Sequence, residues 1–249
     1  MKLAVRIIFL SILISLALFS CGKQGKTVLR VGTSAEYPPF SYKNGDQLVG
    51  IDIDIARKIA ETMNTKIEIY PMTFDALFSA LASDKIDMAI SSITITPERS
   101  KRYDFSTPYA ITNQVLVAKD DCTIVIDKFE DFGKYTIGTL AATTGYEYLV
   151  ENLVDRDLMP KASIKQYPSA LQSINELLQG NVDFVIIDDS AAAGYEKINP
   201  IKIVYTVQTN EAYGIAMQKG RSINETISKS LKELISSGEV KRIIQSYTK

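Results

Sequence analysis

Arg99 is a cation in an electrostatically awkward place. Residues 86–99 read IDMAISSITITPER, in which Ile86, Met88, Ala89 and Ile90 suit a buried strand, and Thr96, Pro97 and Glu98 suit the N-cap, first-turn proline and early acid of a helix. Arg99 would then stand in the first helical turn, where the macrodipole favours negative charge. Its presence is explained if it grips a small anion that the free amides also attract. The bland alternative is a surface arginine paired with Glu98 or Asp104. Ser91, Ser92 and Thr94 fill the turn between strand and helix with small hydroxyls. A second apolar run, VDFVII, ends on Asp188 and Asp189, so an acceptor-only carboxylate stands where the first run placed hydroxyls.

Other chemistries are excluded by what is missing. Histidine is absent, which removes Ser-His-Asp and Cys-His catalysis and any histidine-based metal site. No metal or other cofactor is expected. Asp52 and Asp54 look like a carboxylate pair, but they follow Gly50 at a helix start, where acids favour the dipole, and they read as structural. Asp120 and Asp121 suit a solvated turn, and nothing beside Cys122 would activate its thiol.

The elements that must position Arg99 and Asp188 follow from periodicity. From Val28 the pattern runs LRVG, a helix with Ile51, Ile55, Ile59 and Met63 at fourfold spacing, KIEIY, a helix over 74–81, and IDMAI. This is a βαβαβ order, which implies a mostly parallel sheet. After VLVAK it restarts with YTIGTL, a helix over about 146–153, SIKQY, a helix carrying Ala170, Leu171, Ile174, Leu177 and Leu178, and VDFVII. Both halves deliver polar groups at the carboxyl end of a strand, where open α/β sheets bind ligands. The last segment, with Ile223, Ile227, Leu231 and Leu234 on one helical stripe and a short final helix, has no sheet of its own. It should rejoin the first half, so the chain crosses between two α/β lobes at least twice and leaves a cleft between them.

The 249 residues, 46% hydrophobic, can build such cores. Lys2 and Arg6 precede an apolar run over 7–19, too short for a comfortable membrane span but suited to a signal peptide. Leu18, Phe19, Ser20 and Cys21 resemble the lipobox at which bacterial lipoproteins are cut and lipidated on cysteine, although Phe19 is larger than usual there. Residues 1–20 are therefore expected to be a signal peptide and 21–27 a lipidated tether, giving an extracytoplasmic protein held to a membrane through Cys21. Without the leader the balance is 26 basic to 29 acidic residues, about −3, which argues against nucleic acid. Only Cys122 then remains, so no internal disulfide is available.

Taken together, VGTSAEYPPFSY, GIDIDIA, FDALFSALASDKIDMAISSITITPERSKRYDFSTPY, GTLAATTGYEYL and VDFVIIDDSAAA make the chain resemble the bacterial extracytoplasmic solute-binding proteins of the polar amino-acid class that feed ABC importers. The resemblance implies a two-lobed α/β fold whose lobes close on one amino acid, a monomer, and an importer permease as partner. It implies lobe 1 over 28–111 and 208–249 and lobe 2 over 112–207. Arg99 would pair with the ligand α-carboxylate, Ser92 and Thr94 would hold the ligand backbone through a carbonyl and a hydroxyl, Thr144 with Thr143 beside it would donate to the same carboxylate, and Asp188 would accept from the α-ammonium. Tyr37 and Phe74 would flank the side chain.

The chain departs from that pattern where selectivity is set. Several relatives that bind basic or amide side chains carry an acid three residues before the tyrosine, and here that residue is Ser34. The nearest acid is Glu36, which alternation along an extended segment could turn to solvent. Lysine or arginine is the leaning, with glutamine, histidine and cystine open. A cyclohexadienyl dehydratase on the same scaffold is the competing reading. Asp188 discriminates, because a fixed carboxylate suits an ammonium and repels a prephenate-like anion.

Overall fold

A computed structural model describes residues 28–248; the leader, the tether with Cys21, and Lys249 lie outside the described residues. In chain order, β1 (Val28–Thr33) leads into a small antiparallel sheet of β2 (Glu36–Tyr37), β3 (Ser41–Asn44) and β4 (Gln47–Val49), then α1 (Ile51–Thr62), β5 (Lys66–Pro71), α2 (Phe74–Ala82), β6 (Met88–Ala89), α3 (Pro97–Arg102) and β7 (Tyr103–Phe105). The second half comprises β8 (Ala110–Lys119), β9 (Ile137–Leu140), α4 (Thr144–Leu149), β10 (Ile164–Tyr167), α5 (Ala170–Gln179), β11 (Phe184–Asp188), α6 (Asp189–Glu196) and β12 (Ile201–Tyr213). The chain finishes with β13 (Ala216–Gln218), α7 (Ile223–Ser236) and α8 (Glu239–Tyr247).

Two five-stranded sheets result, ordered β5-β1-β6-β13-β7 and β10-β9-β11-β8-β12. In each, three parallel strands are extended on one side by two more joined through antiparallel pairings. The first core forms because α1 turns Ile51, Ile55 and Ile59 to one face at helical spacing. There they meet Ile227, Leu231 and Leu234 of α7 and Val240 and Ile243 of α8. The C-terminal segment thus packs on the first lobe, and it also supplies β13, a short strand that its helical stripe did not announce. In the second lobe strand alternation serves two cores at once. Val115, Val117, Val185 and Ile187 face α5 and α6, whereas Leu116, Ala118, Phe184 and Ile186 face the α4 side. Burial on both faces explains why VLVA and FVII read as continuous apolar runs.

Three local features differ from the sequence reading. The pattern IDMAI yields only a two-residue ladder at β6, though Asp87 N donates to Arg30 O and Ile90 N to Gly32 O on either side of it. The helix expected from 146 starts at Thr144 and passes into a π turn over Val150–Val154. The hairpin sheet β2–β4 and the thirteen-residue β12 were not anticipated, since neither carries a strong apolar alternation. β8 and β12 pair antiparallel from Lys119 opposite Ile201 to Ala110 opposite Tyr213. Tyr109 and Tyr213, at their near ends, lie in the first core. These two strands are the joint between the lobes.

Candidate functional site

The site gathers at the ends of β6 and β11. After β6 the chain turns through Ser92 in a left-handed conformation, φ 50°, a strained choice for a non-glycine residue. Asp52 supports that turn: its Oδ2 accepts from Ser92 N at 2.9 Å and its Oδ1 from the Tyr109 hydroxyl at 2.7 Å. Asp52 is fully buried, and burial pushes its carboxyl up to about 7 against the pull of these donors. Both it and Asp54 sit in the first turn of α1. Ser92 Oγ is buried beside the pocket with no hydrogen-bond partner.

Thr96 caps α3 as expected, its Oγ1 accepting from Arg99 N at 3.2 Å. The Arg99 side chain is not a surface ion pair. Glu98 pairs with Lys101, and Asp104 accepts from Gly220 N and the Asn224 amide. Instead the guanidinium lies 5.7 Å from the Phe74 ring centroid and 5.4 Å from that of Phe78, so the two rings hold it flat. Its Nη1 donates to Thr94 O at 2.8 Å and its Nη2 to Ala142 O of the other lobe at 3.0 Å. Ala142 is itself left-handed, φ 61°.

Asp188 closes β11 and is 8% exposed. Its Oδ2 accepts from the Tyr37 hydroxyl at 2.6 Å and from the Tyr213 hydroxyl, and its Oδ1 from Gln114 Nε2 at 2.5 Å. Desolvation pushes its carboxyl up to about 6, the tyrosine donors pull it down, and the nearby Glu211 charge adds to the rise. Tyr213 belongs to the first lobe's core and Tyr37 packs against the cores of both lobes, so these bonds tie the lobes together.

A pocket between the lobes is lined by Ser34, Tyr37, Phe74, Ser92, Thr94 and Arg99 from the first lobe and by Thr143, Thr144 and Asp188 from the second. Thr144 donates through Oγ1 to Glu211 Oε2 at 2.6 Å, and Thr94 to the same oxygen at 2.8 Å. Thr143 turns its hydroxyl onto Leu140 O at 2.7 Å. Ser34 is held by its backbone, its N donating to Ser91 Oγ at 2.9 Å.

Glu36 departs from the expected set. It is exposed and borders a separate groove with Pro38, Pro39, Tyr195 and Tyr247. The two-residue strand β2 sends Tyr37 to the pocket and therefore Glu36 to the opposite face. Two site residues escaped the sequence reading. Gln114 is 2% exposed on β8 and lines the pocket; the signal was a lone amide at the head of an apolar strand. Glu211 on β12 accepts at Oε1 from Gln114 Nε2 at 3.0 Å, and nothing around it in TNEAY marked it.

Two mixed sheets joined by a strand pair, with a guanidinium and a carboxylate facing one pocket between them, define a two-lobed binding protein. The chain belongs to the bacterial extracellular solute-binding proteins, family 3, which it matches over residues 29–249. It is accordingly an extracytoplasmic solute-binding protein of the amino-acid ABC-transporter class. The arginine-binding extracellular protein ArtP of Bacillus subtilis is 31% identical over 242 residues, 92% of either chain. A probable histidine-binding protein of Neisseria gonorrhoeae is 34% identical, covering 94% of this chain and 91% of its own. Among solved structures, an ancestral arginine-binding protein bound to arginine superposes with a TM-score of 0.82 at 36% identity, over 89% of this chain and 98% of the other.

Proposed function

We propose that this protein binds a basic α-amino acid, arginine or lysine, between its lobes and presents it to an ABC importer permease. The observation that carries the reading is the pair of unmatched charges. Among the described residues neither the Arg99 guanidinium nor the Asp188 carboxylate forms an ion pair with another side chain, yet both line the same pocket. Leaving such charges sheltered and unpaired is costly, and an α-carboxylate with an α-ammonium would satisfy both. Arg99 would take the carboxylate in its planar fork. Asp188, oriented by Tyr37, Tyr213 and Gln114, would accept from the ammonium along with Ser92 O and Thr94 Oγ1. Tyr37 and Phe74 would bracket the side chain, with Ser34 beside it; Thr143 and Thr144 would lie beside the carboxylate without giving it a hydroxyl proton, because those protons go to Leu140 O and Glu211 Oε2; and Glu36 has no part.

The basic class is supported by the arginine- and histidine-binding names of the relatives. The role assigned to Asp188 also favours binding over a dehydratase-like reaction, whose anionic substrate it would repel. The division into 28–111 with 208–249 and 112–207 is our assignment of the lobes, and the protein acts as a monomer. Thermal shift against the twenty amino acids plus cystine and ornithine tests the reading, since a ligand bound only to the native state raises its midpoint. Arginine or lysine should give the largest rise; no rise with any α-amino acid would overturn it.

Cys21 is assigned as the lipidated first residue of the mature chain. Cys21→Ser should abolish partitioning into the detergent phase, and unchanged partitioning would refute the anchor.

A further inference from the structure

The charges around the pocket do not balance for a zwitterion alone. Arg99 is one cation, whereas Asp188 and Glu211 are two carboxylates, and among the described residues Glu211 also lacks an ion-pair partner. Glu147 also favours the Arg99 charge, ahead of Glu211 and Asp188, so it adds to the negative side of this balance from the rim, where its residue is exposed. Glu211 is tied into the site at every point. Its Oε2 accepts from Thr94 and Thr144, one from each lobe, and its Oε1 shares the Gln114 amide with Asp188. The Gln114 nitrogen bridges the two carboxylates, whose facing oxygens are separated by no more than the sum of its two bonds, 3.0 Å and 2.5 Å.

We infer that Glu211 is a specificity-determining residue whose charge selects a ligand with a second positive group besides its α-ammonium. The inference rests on the amino-acid reading above and deepens it. Glu211 lies behind the pocket wall and acts through Thr94, Thr144 and Gln114, which line it; the other positions that could have set this preference supply no charge there, because Ser34 is neutral and Glu36 faces the other groove. Glu211 also has a steering effect on its neighbours. Being acceptor-only, it takes the hydroxyl protons of Thr94 and Thr144, so both hydroxyls turn lone pairs toward the pocket. Thr94 Oγ1 then meets cationic N–H groups as an acceptor. A neutral side chain would leave the surplus carboxylate without a counter-charge in a site largely shut from water, where Coulomb interactions are weakly screened.

The test uses arginine and citrulline, which match in shape and differ by one charge. Isothermal titration of the wild-type protein should show arginine preferred. In Glu211→Gln the arginine-to-citrulline affinity ratio should fall roughly tenfold or more, the size expected for removing one close charge from a sheltered site. Glu211→Ala serves as a second neutral variant with the same expected fall, and Glu211→Asp, which keeps the charge, should hold the ratio within about threefold of wild type. A wild-type ratio near one would overturn the basic-ligand reading and this inference with it. A wild-type preference that persists unchanged in the neutral variants would overturn the role of Glu211 alone.

Discussion

Truncating Arg99 to alanine leaves a ligand carboxylate desolvated and unpaired, a loss of about 2–5 kcal/mol, or on the order of 30-fold to several thousand-fold in Kd. Titration calorimetry with arginine reads this directly. An unchanged Kd in the folded variant would return Arg99 to the surface-pair role that its contacts with Phe74, Phe78 and Ala142 O speak against. Asp188 makes the affinity depend on pH. Its carboxyl stands at about 6 in the ligand-free protein, and an ammonium beside it favours the ionised form and lowers that value. The complex therefore holds fewer protons than the free protein near pH 5 to 6, so affinity should fall as pH drops below about 6 and level off above it. Titrations across this range should show the fall in wild type and not in Asp188→Asn. At this scale the sequence was informative for residues that break a local rule, as Arg99 does in a first helical turn. It was silent on Glu211, which breaks none.

At the scale of elements, α1 and the turn after β6 depend on one buried carboxylate. Asp52 receives Ser92 N and the Tyr109 hydroxyl. Asp52→Asn keeps one acceptor but sets an amide donor against a donor, costing about 1–3 kcal/mol. The pH dependence of that cost has a definite sign. The folded carboxyl titrates near 7 and the unfolded one near its ordinary value of about 3.9, so between these limits the native state binds more protons than the unfolded chain. The contribution of Asp52 to stability is then fully present below about pH 4 and is lost as pH rises toward 7. Urea melts at pH 5 and pH 8 should show the gap between wild type and Asp52→Asn narrowing at the higher pH. A gap that widens would contradict the burial argument. Reading Asp52 and Asp54 as structural from the sequence rested on their helix-start position, which needs no tertiary knowledge; the partner that Asp52 holds forty residues away does.

For the whole molecule, closure is set partly outside the pocket. The Tyr195 hydroxyl of α6 donates to Glu36 O at 2.5 Å, and Gly194 approaches the other lobe so closely that an added Cβ would lie 2.6 Å from Pro38 O. Gly194→Ala leaves both cores untouched but sets a methyl group against backbone when the lobes meet. It should weaken ligand binding on the order of tenfold by taxing the closed state and reduce the compaction seen by small-angle scattering on adding arginine. An unchanged Kd would show that the turn carrying Pro38 yields. The sequence by itself determined the two-lobed α/β plan, the return of the C-terminal helices to the first lobe and the positions of Arg99 and Asp188. All but the last follow from periodicity, capping and residue chemistry within a few turns of chain; the choice of Asp188 over its neighbour Asp189 rested on the family resemblance. Only the tertiary structure decided that Glu36 faces away while Gln114 and Glu211 join the site. Their roles depend on strand facing and on β8 and β12 running side by side between the lobes. Such register is set by pairing between segments about ninety-seven residues apart, and no local pattern encodes it.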